Sequence, residues 1–302
     1  MAAEETGGCH TAIFYRDVHE FTDVALVLAE AGARAREAVL VVATSSSLQS
    51  LRPGLAGYGR AVTLAELTSV GTDPGRVFGI IRMFASDHRG RPVRCLQEVG
   101  WPGRHGEELA EAIRYDALVS RALAGSAARV LCGYQTQIDA EYLVSARLVH
   151  PAVLHDSAPL AGAPVGQLPA EALSRPPSSA LNFNFRDDQA KVRRFAAEEA
   201  RRAGLPTDRV IDLQIAAGEL AANTFSHTSG LGTLTLWADQ DEVVCQVSDS
   251  GHITDPLAGT FCPDPATLGS SRGLWLVHQV SDLVQVRTGP SGTTVRLHFR
   301  FP

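Results

Sequence analysis

Lysine is almost missing from this 302-residue chain: Lys191 is the only one, so arginine carries nearly all of the positive charge. The balance is acidic, with a formal net charge of −6, and no basic field addresses nucleic acid or an anionic membrane. The five cysteines, Cys9, Cys95, Cys132, Cys245 and Cys262, are scattered and form no CxxC pair. Neither a disulfide framework nor a tetrahedral zinc site is expected from that spacing, and reduced thiols are. No apolar run approaches the roughly 18 residues of a membrane span. The acidic start, Met1-Ala-Ala-Glu-Glu-Thr, has no apolar core of a secretory signal, so a cytoplasmic location is expected.

What is present first is an alternation of strand and helix. Residues 11–15 predict a short strand. Phe21, Val24, Ala25, Leu28 and Gly32 recur at helical spacing and predict a helix up to about Glu37. Residues 39–43 form an apolar, β-branched run without alternation, as in a strand buried on both faces of a parallel sheet. Thr44 to Ser47 follow, where hydroxyls can cap a helix or bind an anion. With no GxxxxGK[ST] motif and no lysine in this half, a cap is the expected role. Further strands are expected at 62–64, 80–84, 93–99 and 129–134, and helices at 107–124 and 138–148. This is the pattern of an α/β domain with a mainly parallel sheet. His10, His19, His150 and His155 match no ligand spacing and are expected to be surface or satisfied histidines; Cys132 is expected to be a small core residue.

The run HTAIFY at 10–15, the helix after it, the apolar strand at 39–43, Trp101, the run YDALVSR at 115–121 and LCGY at 131–134 together resemble the MEDS domain. That resemblance covers residues 10 to about 155. It implies a RecA-like α/β fold without a Walker motif and a sensory input whose ligand it does not name. Five prolines between 158 and 179 mark an interdomain linker. The expected division is therefore a sensory domain over 1–157, a linker over 158–179 and a second domain over 180–302.

In the second half, residues 181–185 alternate like a half-buried strand, and Asp187-Asp-Gln opens a helix carrying Val192, Phe195, Ala196 and Glu199. A second helix begins at Pro206-Thr-Asp208, with an expected apolar stripe of Val210, Leu213, Ile215, Ala217, Leu220 and Ala221. Glu219, Asn223 and His227 are spaced by four, so all three share one face. The Asn223 carbonyl oxygen suits Mg²⁺, a cation that takes hard oxygen ligands. Glu219, one turn away, can accept a proton from an attacking hydroxyl. A hairpin over 233–247 delivers Asp249-Ser-Gly251 at its end, where a carboxylate can accept from an exocyclic amine and glycine admits a planar base. Gly269-Ser-Ser-Arg-Gly273-Leu274 is a glycine-rich entry into an apolar helix, suited to phosphate. A last hairpin over 283–299 closes a sheet.

In this order the three segments resemble the N, G1 and G2 boxes of the GHKL ATP-binding fold, the Bergerat α/β sandwich. More narrowly they resemble the RsbW-like anti-sigma regulatory kinases and RsbA-type regulators of bacteria, over residues 181–302. The resemblance implies ATP and Mg²⁺ as cofactors, Glu219 as catalytic base, Asn223 as the Mg²⁺ ligand and Asp249 as the adenine contact. His227, Gly251, Gly269, Gly273, Leu274, Thr293 and Thr294 would complete the ATP site. Arg272 would reach the terminal phosphates, the segment between Gly251 and Gly269 having no other obvious phosphate-binding cation. The implied activity is phosphorylation of serine or threonine on a STAS-type anti-anti-sigma antagonist, sequestration of a sigma factor, or both; a homodimer is left open. The alternatives are a non-catalytic protein that holds ATP and masks a sigma factor, and a divergent sensor histidine kinase. Against the latter, no histidine lies between His155 and His227, where a phosphoacceptor hairpin would stand.

Overall fold

The computed structural model describes residues 9–88, 90–123, 127–154, 173–262 and 272–302, which fall into two compact units divided between Leu168 and Pro169. Residues 158–172 of the expected linker lie outside the described residues.

The N-terminal unit is an α/β domain. Its strands are β1 (Cys9–Tyr15), β2 (Ala38–Ala43), β3 (Val62–Glu66), β4 (Val93–Gly100), β5 (Ala128–Gln135) and β6 (Ala152–Val153). They form one parallel sheet in the order β3-β2-β4-β5-β1-β6. The connecting helices are α1 (Val18–Ala35), α2 (Ser45–Leu55), the single turn α3 (Leu67–Val70), α4 (Pro74–Asp87), α5 (Gly106–Ala122) and α6 (Ala140–Val149). From Val39 to Ala43 every residue of β2 is buried, as its unbroken apolar run requires. Phe21, Ala25 and Leu28 of α1, with Leu48 and Leu51 of α2, cover one face of the sheet against Ile13, Val39, Val41 and Leu96.

Two expectations for this half are corrected. Residues 80–84 are helical, not a strand, and lie inside α4. Asp73 caps that helix by accepting from the Arg76 N–H at 2.9 Å, and Pro74 occupies its first turn. Val77, Phe78, Ile81 and Phe84 are its buried stripe, a helical period that is lost when the apolar run is read alone. The second correction concerns His150 alone among the described histidines, since His10, with Nε2 3.2 Å from Cys132 Sγ, is satisfied as expected. His19 is exposed, and His155 lies outside the described residues. His10 and His150, however, are both about 1% exposed and stand beside Asp116 and Cys132. The Nε2 of His150 has no hydrogen-bond partner.

Thr44 takes the expected capping role, accepting from the Ser47 N–H. The anion at this turn is the protein's own. The Glu98 carboxylate accepts from the Thr44 N–H and hydroxyl, both at 2.8 Å, from Ser47 Oγ at 2.9 Å and from Tyr15 OH at 2.8 Å. Burial and that carboxylate push the Tyr15 phenol well above its ordinary value.

Among its described residues the C-terminal unit is a five-stranded antiparallel sheet under three helices. Its strands are β7 (Leu181–Arg186), β8 (Leu231–Ala238), β9 (Glu242–Asp249), β10 (Leu283–Gly289) and β11 (Gly292–Arg300), in the order β10-β11-β9-β8-β7. The helices are α7 (Gln189–Arg202), α8 (Thr207–His227) and α9 (Arg272–Val280). Alternate residues Leu234 and Leu236, Val243, Cys245 and Val247, and Val295, Leu297 and Phe299 meet Val192, Ala196, Val210, Leu213, Ala217, Leu220 and Val277 in a single core. Ile215, expected in the α8 stripe, is only half-buried; Ala216 is the fully buried neighbour.

Candidate functional site

Helix α8 is held by its buried side, Val210, Leu213, Ala217, Leu220 and Ala221, so the face one step round the helix meets the end of the sheet. There a cavity of about 440 Å³ opens, of the size that small-molecule ligands occupy. Its apolar walls are Leu220 of α8, Val247 of β9, Val295 of β11, Leu274 of α9, and Ile253 and Ala258 between β9 and α9. Polar groups stand at fixed points among them: Asn223 and His227 from α8, Asp249 from the end of β9, and Thr293 from β11. Gly251 completes that part of the wall.

Asp249 is the best-anchored of these. Its Oδ2 accepts from the Thr224 hydroxyl at 2.6 Å and its Oδ1 from the Gly251 N–H at 2.8 Å. A carboxylate has about four acceptor positions, so two protein donors orient it and leave capacity for a ligand amine. Thr224 is fully buried. Sequence reasoning passed it over, although a threonine four residues after Leu220, in line with the apolar stripe, was a signal that its hydroxyl has an interior partner.

The strand ends are locked by a hydroxyl chain. Thr293 Oγ1 donates to the Gly251 carbonyl at 2.9 Å and lies 3.1 Å from Thr288 Oγ1, which accepts from the Ile253 N–H at 3.3 Å. Gly292 has φ +121°, and a Cβ there would fall 1.9 Å from the Asp249 carbonyl oxygen. Only glycine lets the β10–β11 turn approach the end of β9 so closely. Thr294, one residue on, points to the other face of β11 and lies 3.0 Å from Ser248 Oγ, outside the cavity lining.

Glu219 and Gly273 meet at the α8–α9 seam. A Cβ on Gly273 would stand 2.8 Å from Glu219 Oε2 and 3.7 Å from Asn223 Oδ1, so the absent side chain leaves room for both acceptor groups. The other carboxylate oxygen of Glu219 lies 3.8 Å from Arg193 Nη2 of α7. Glu219 itself is not among the lining residues, and neither is Arg272, which is exposed at the start of α9. Gly269 lies outside the described residues. Of the predicted residues, then, Asn223, His227, Asp249, Gly251, Leu274 and Thr293 share one cavity, Glu219 and Gly273 adjoin it through Asn223, and Thr294 and Arg272 do not line it. Among the described lining residues there is no lysine or arginine.

These residues fit a nucleotide. The apolar slot is open to a flat ring, the spare acceptor positions of Asp249 suit an exocyclic amine, and the Asn223 carbonyl oxygen is of the type that a hard cation would take.

Residues 185–299 match the family model described as histidine kinase-like ATPase domain, and residues 9–151 match MEDS, the methanogen/methylotroph, DcmR sensory domain. No curated protein matches the chain. No helix among the described residues is long and apolar enough to cross a membrane.

Proposed function

We propose that this chain, a MEDS sensory domain followed by a histidine kinase-like ATPase domain, is an RsbW-like cytoplasmic regulator. It binds Mg·ATP and phosphorylates a serine or threonine of a STAS-type anti-anti-sigma partner, with a sigma factor as its second binding partner. The observation that carries this reading is the convergence of Asn223, His227, Asp249, Gly251 and Thr293 on one apolar cavity, with Glu219 one helical turn from Asn223.

Asp249, held by Thr224 and Gly251, accepts from the adenine amine. Asn223 offers its carbonyl oxygen to Mg²⁺, which supplies neutralisation of phosphate charge when bound. The partner's hydroxyl oxygen forms the new bond to the γ-phosphorus as the bond to the bridging oxygen of ADP breaks, and Glu219 takes the hydroxyl proton. Such a transfer asks for positioning and charge stabilisation more than covalent chemistry. The MEDS domain tunes this output.

One observation favours a second reading. Glu219 faces Arg193 rather than lining the cavity, which suits a protein that holds ATP and masks a sigma factor without catalysis. Incubation of the full chain with Mg²⁺, γ-labelled ATP and partner proteins captured from its own cells separates the two. Acid-stable label on a partner, lost in Glu219→Gln, supports the kinase. Bound ATP with no transfer supports the mask, and acid-labile label would overturn both in favour of a histidine kinase.

A further inference from the structure

The buried group in the N-terminal unit has no part in the ATP chemistry. His10 comes from β1, Asp116 from α5, Cys132 from β5, and His150 from the residue that ends α6. All four are buried, and one ligand-capable atom from each lies within 4.8 Å of the others. His10 Nε2 is 3.2 Å from Cys132 Sγ and 3.9 Å from Asp116 Oδ1. Cys132 Sγ is 3.4 Å from Asp116 Oδ1, and His150 Nε2 is 3.6 Å from Asp116 Oδ2. Four ligands placed about 2.0–2.3 Å from a tetrahedral centre stand about 3.3–3.8 Å apart.

The tautomer of His150 sharpens the case. Its Nδ1 lies 2.7 Å from the Ala146 carbonyl, which can only accept, so Nδ1 carries the proton. A neutral imidazole carries one proton, here on Nδ1. Nε2 is then a lone pair, and that nitrogen has no hydrogen-bond partner. It faces the Asp116 carboxylate at 3.6 Å, beyond hydrogen-bond reach. Two acceptors turned toward each other in a dry interior are stabilised by a cation between them. A backbone carbonyl orienting the far nitrogen of a ligand histidine is also the usual outer arrangement at metal sites. The carboxylate has its own outer partners, Gln97 Nε2 at 3.0 Å and the Tyr134 hydroxyl.

From this geometry we infer that His10, Asp116, Cys132 and His150 form a closed tetrahedral site for a zinc-type divalent cation. A thiolate with two imidazoles selects a borderline-soft metal over Mg²⁺ or Ca²⁺. Thiolate and carboxylate together balance a divalent charge, leaving the buried site neutral. Binding releases the thiol proton to solvent and ties β1, β5, α5 and the end of α6 together.

The test uses the full-length protein, stripped of metal by a chelator and titrated with Co²⁺ as a spectroscopic stand-in for Zn²⁺. One equivalent per chain should give the visible bands of tetrahedral Co²⁺ and a thiolate-to-metal charge-transfer band, both displaced by Zn²⁺. Cys132→Ser should abolish the charge-transfer band, whereas Cys262→Ser, which changes an exposed thiol, should keep it. His150→Gln should weaken Zn²⁺ binding at least about tenfold. Zn²⁺ should also raise the melting temperature of the unsubstituted protein, a readout that needs no variant to fold. Absence of a tetrahedral Co²⁺ spectrum in the unsubstituted chain would overturn the site, as would a charge-transfer band that persists in Cys132→Ser or follows Cys262.

Discussion

In the N-terminal unit His10, Asp116, Cys132 and His150 are each 2% exposed or less, whereas along the C-terminal cavity Asn223 and Asp249 are half-buried and His227 is open to solvent. Burial depth separates two uses of polar chemistry. Groups sealed in a core must be satisfied permanently, by one another or by a bound ion, because an orphaned donor or acceptor there destabilises the fold. Groups at the rim of a cavity keep spare hydrogen-bonding capacity at little cost, because water fills it until a ligand arrives. Glu98 and Asp249 are a matched pair for this contrast. Both are carboxylates at the ends of strands that collect local N–H and hydroxyl donors, but Glu98 spends its capacity on Thr44, Ser47 and Tyr15, while Asp249 accepts from only Thr224 and Gly251.

Substitutions that remove these groups should separate stability from binding. Glu98→Ala removes the carboxylate that four donors share and should destabilise the N-terminal unit by about 3–5 kcal/mol, read by calorimetric melting. ATP affinity should be unchanged; a fall in affinity without a fall in melting temperature would erase the contrast. Glu219→Gln should cut phosphoryl transfer to the partner by about 10²–10⁴-fold and leave ATP affinity within about threefold, by rapid-quench and binding assays. Asp249→Ala should weaken ATP by about 10–100-fold, the loss of one charge-assisted hydrogen bond, with melting little altered. Thr224→Val keeps the shape but removes one donor to Asp249, and should weaken ATP by about 3–10-fold in the same titration. If Thr224→Val lowered affinity as much as Asp249→Ala, the carboxylate would be acting through its orientation alone.

The same contrast explains what was legible in the sequence. Glu219, Asn223 and His227 sit on one helix at a spacing that names their common face, and Asp249 and Gly251 close a predictable hairpin, so most of the cavity could be assembled from local pattern. Thr294 could not be separated from Thr293 without knowing which face of β11 points inward. The strand period places only one of two adjacent residues there. The spacing of Glu219 puts it on the face of Asn223, but its orientation toward Arg193 depends on how α7 packs on α8, which no periodicity encodes.

In the N-terminal half the alternation of strand and helix was readable, yet residues 80–84 passed for a strand because their helical partners Val77 and Phe78 were not counted with them. The buried cluster was invisible for a different reason. His10 and Cys132 are 122 positions apart and Asp116 and Cys132 are 16 apart, and only the parallel pairing of β1 with β5 brings the strand ligands side by side. Ligand spacings of the CxxC type report sites built within one turn, not sites built across a sheet.

A calorimetric titration of Mg·ATP into the full-length protein and its Asp249→Ala variant bears most directly on the cavity as a nucleotide site. One ATP per chain should bind, with Asp249→Ala weaker by about 10–100-fold. GTP should bind the unsubstituted chain at least about tenfold more weakly than ATP, because guanine turns a carbonyl toward Asp249 where adenine turns an amine. Absence of ATP binding, or equal affinities for ATP in the two proteins, would refute the assignment.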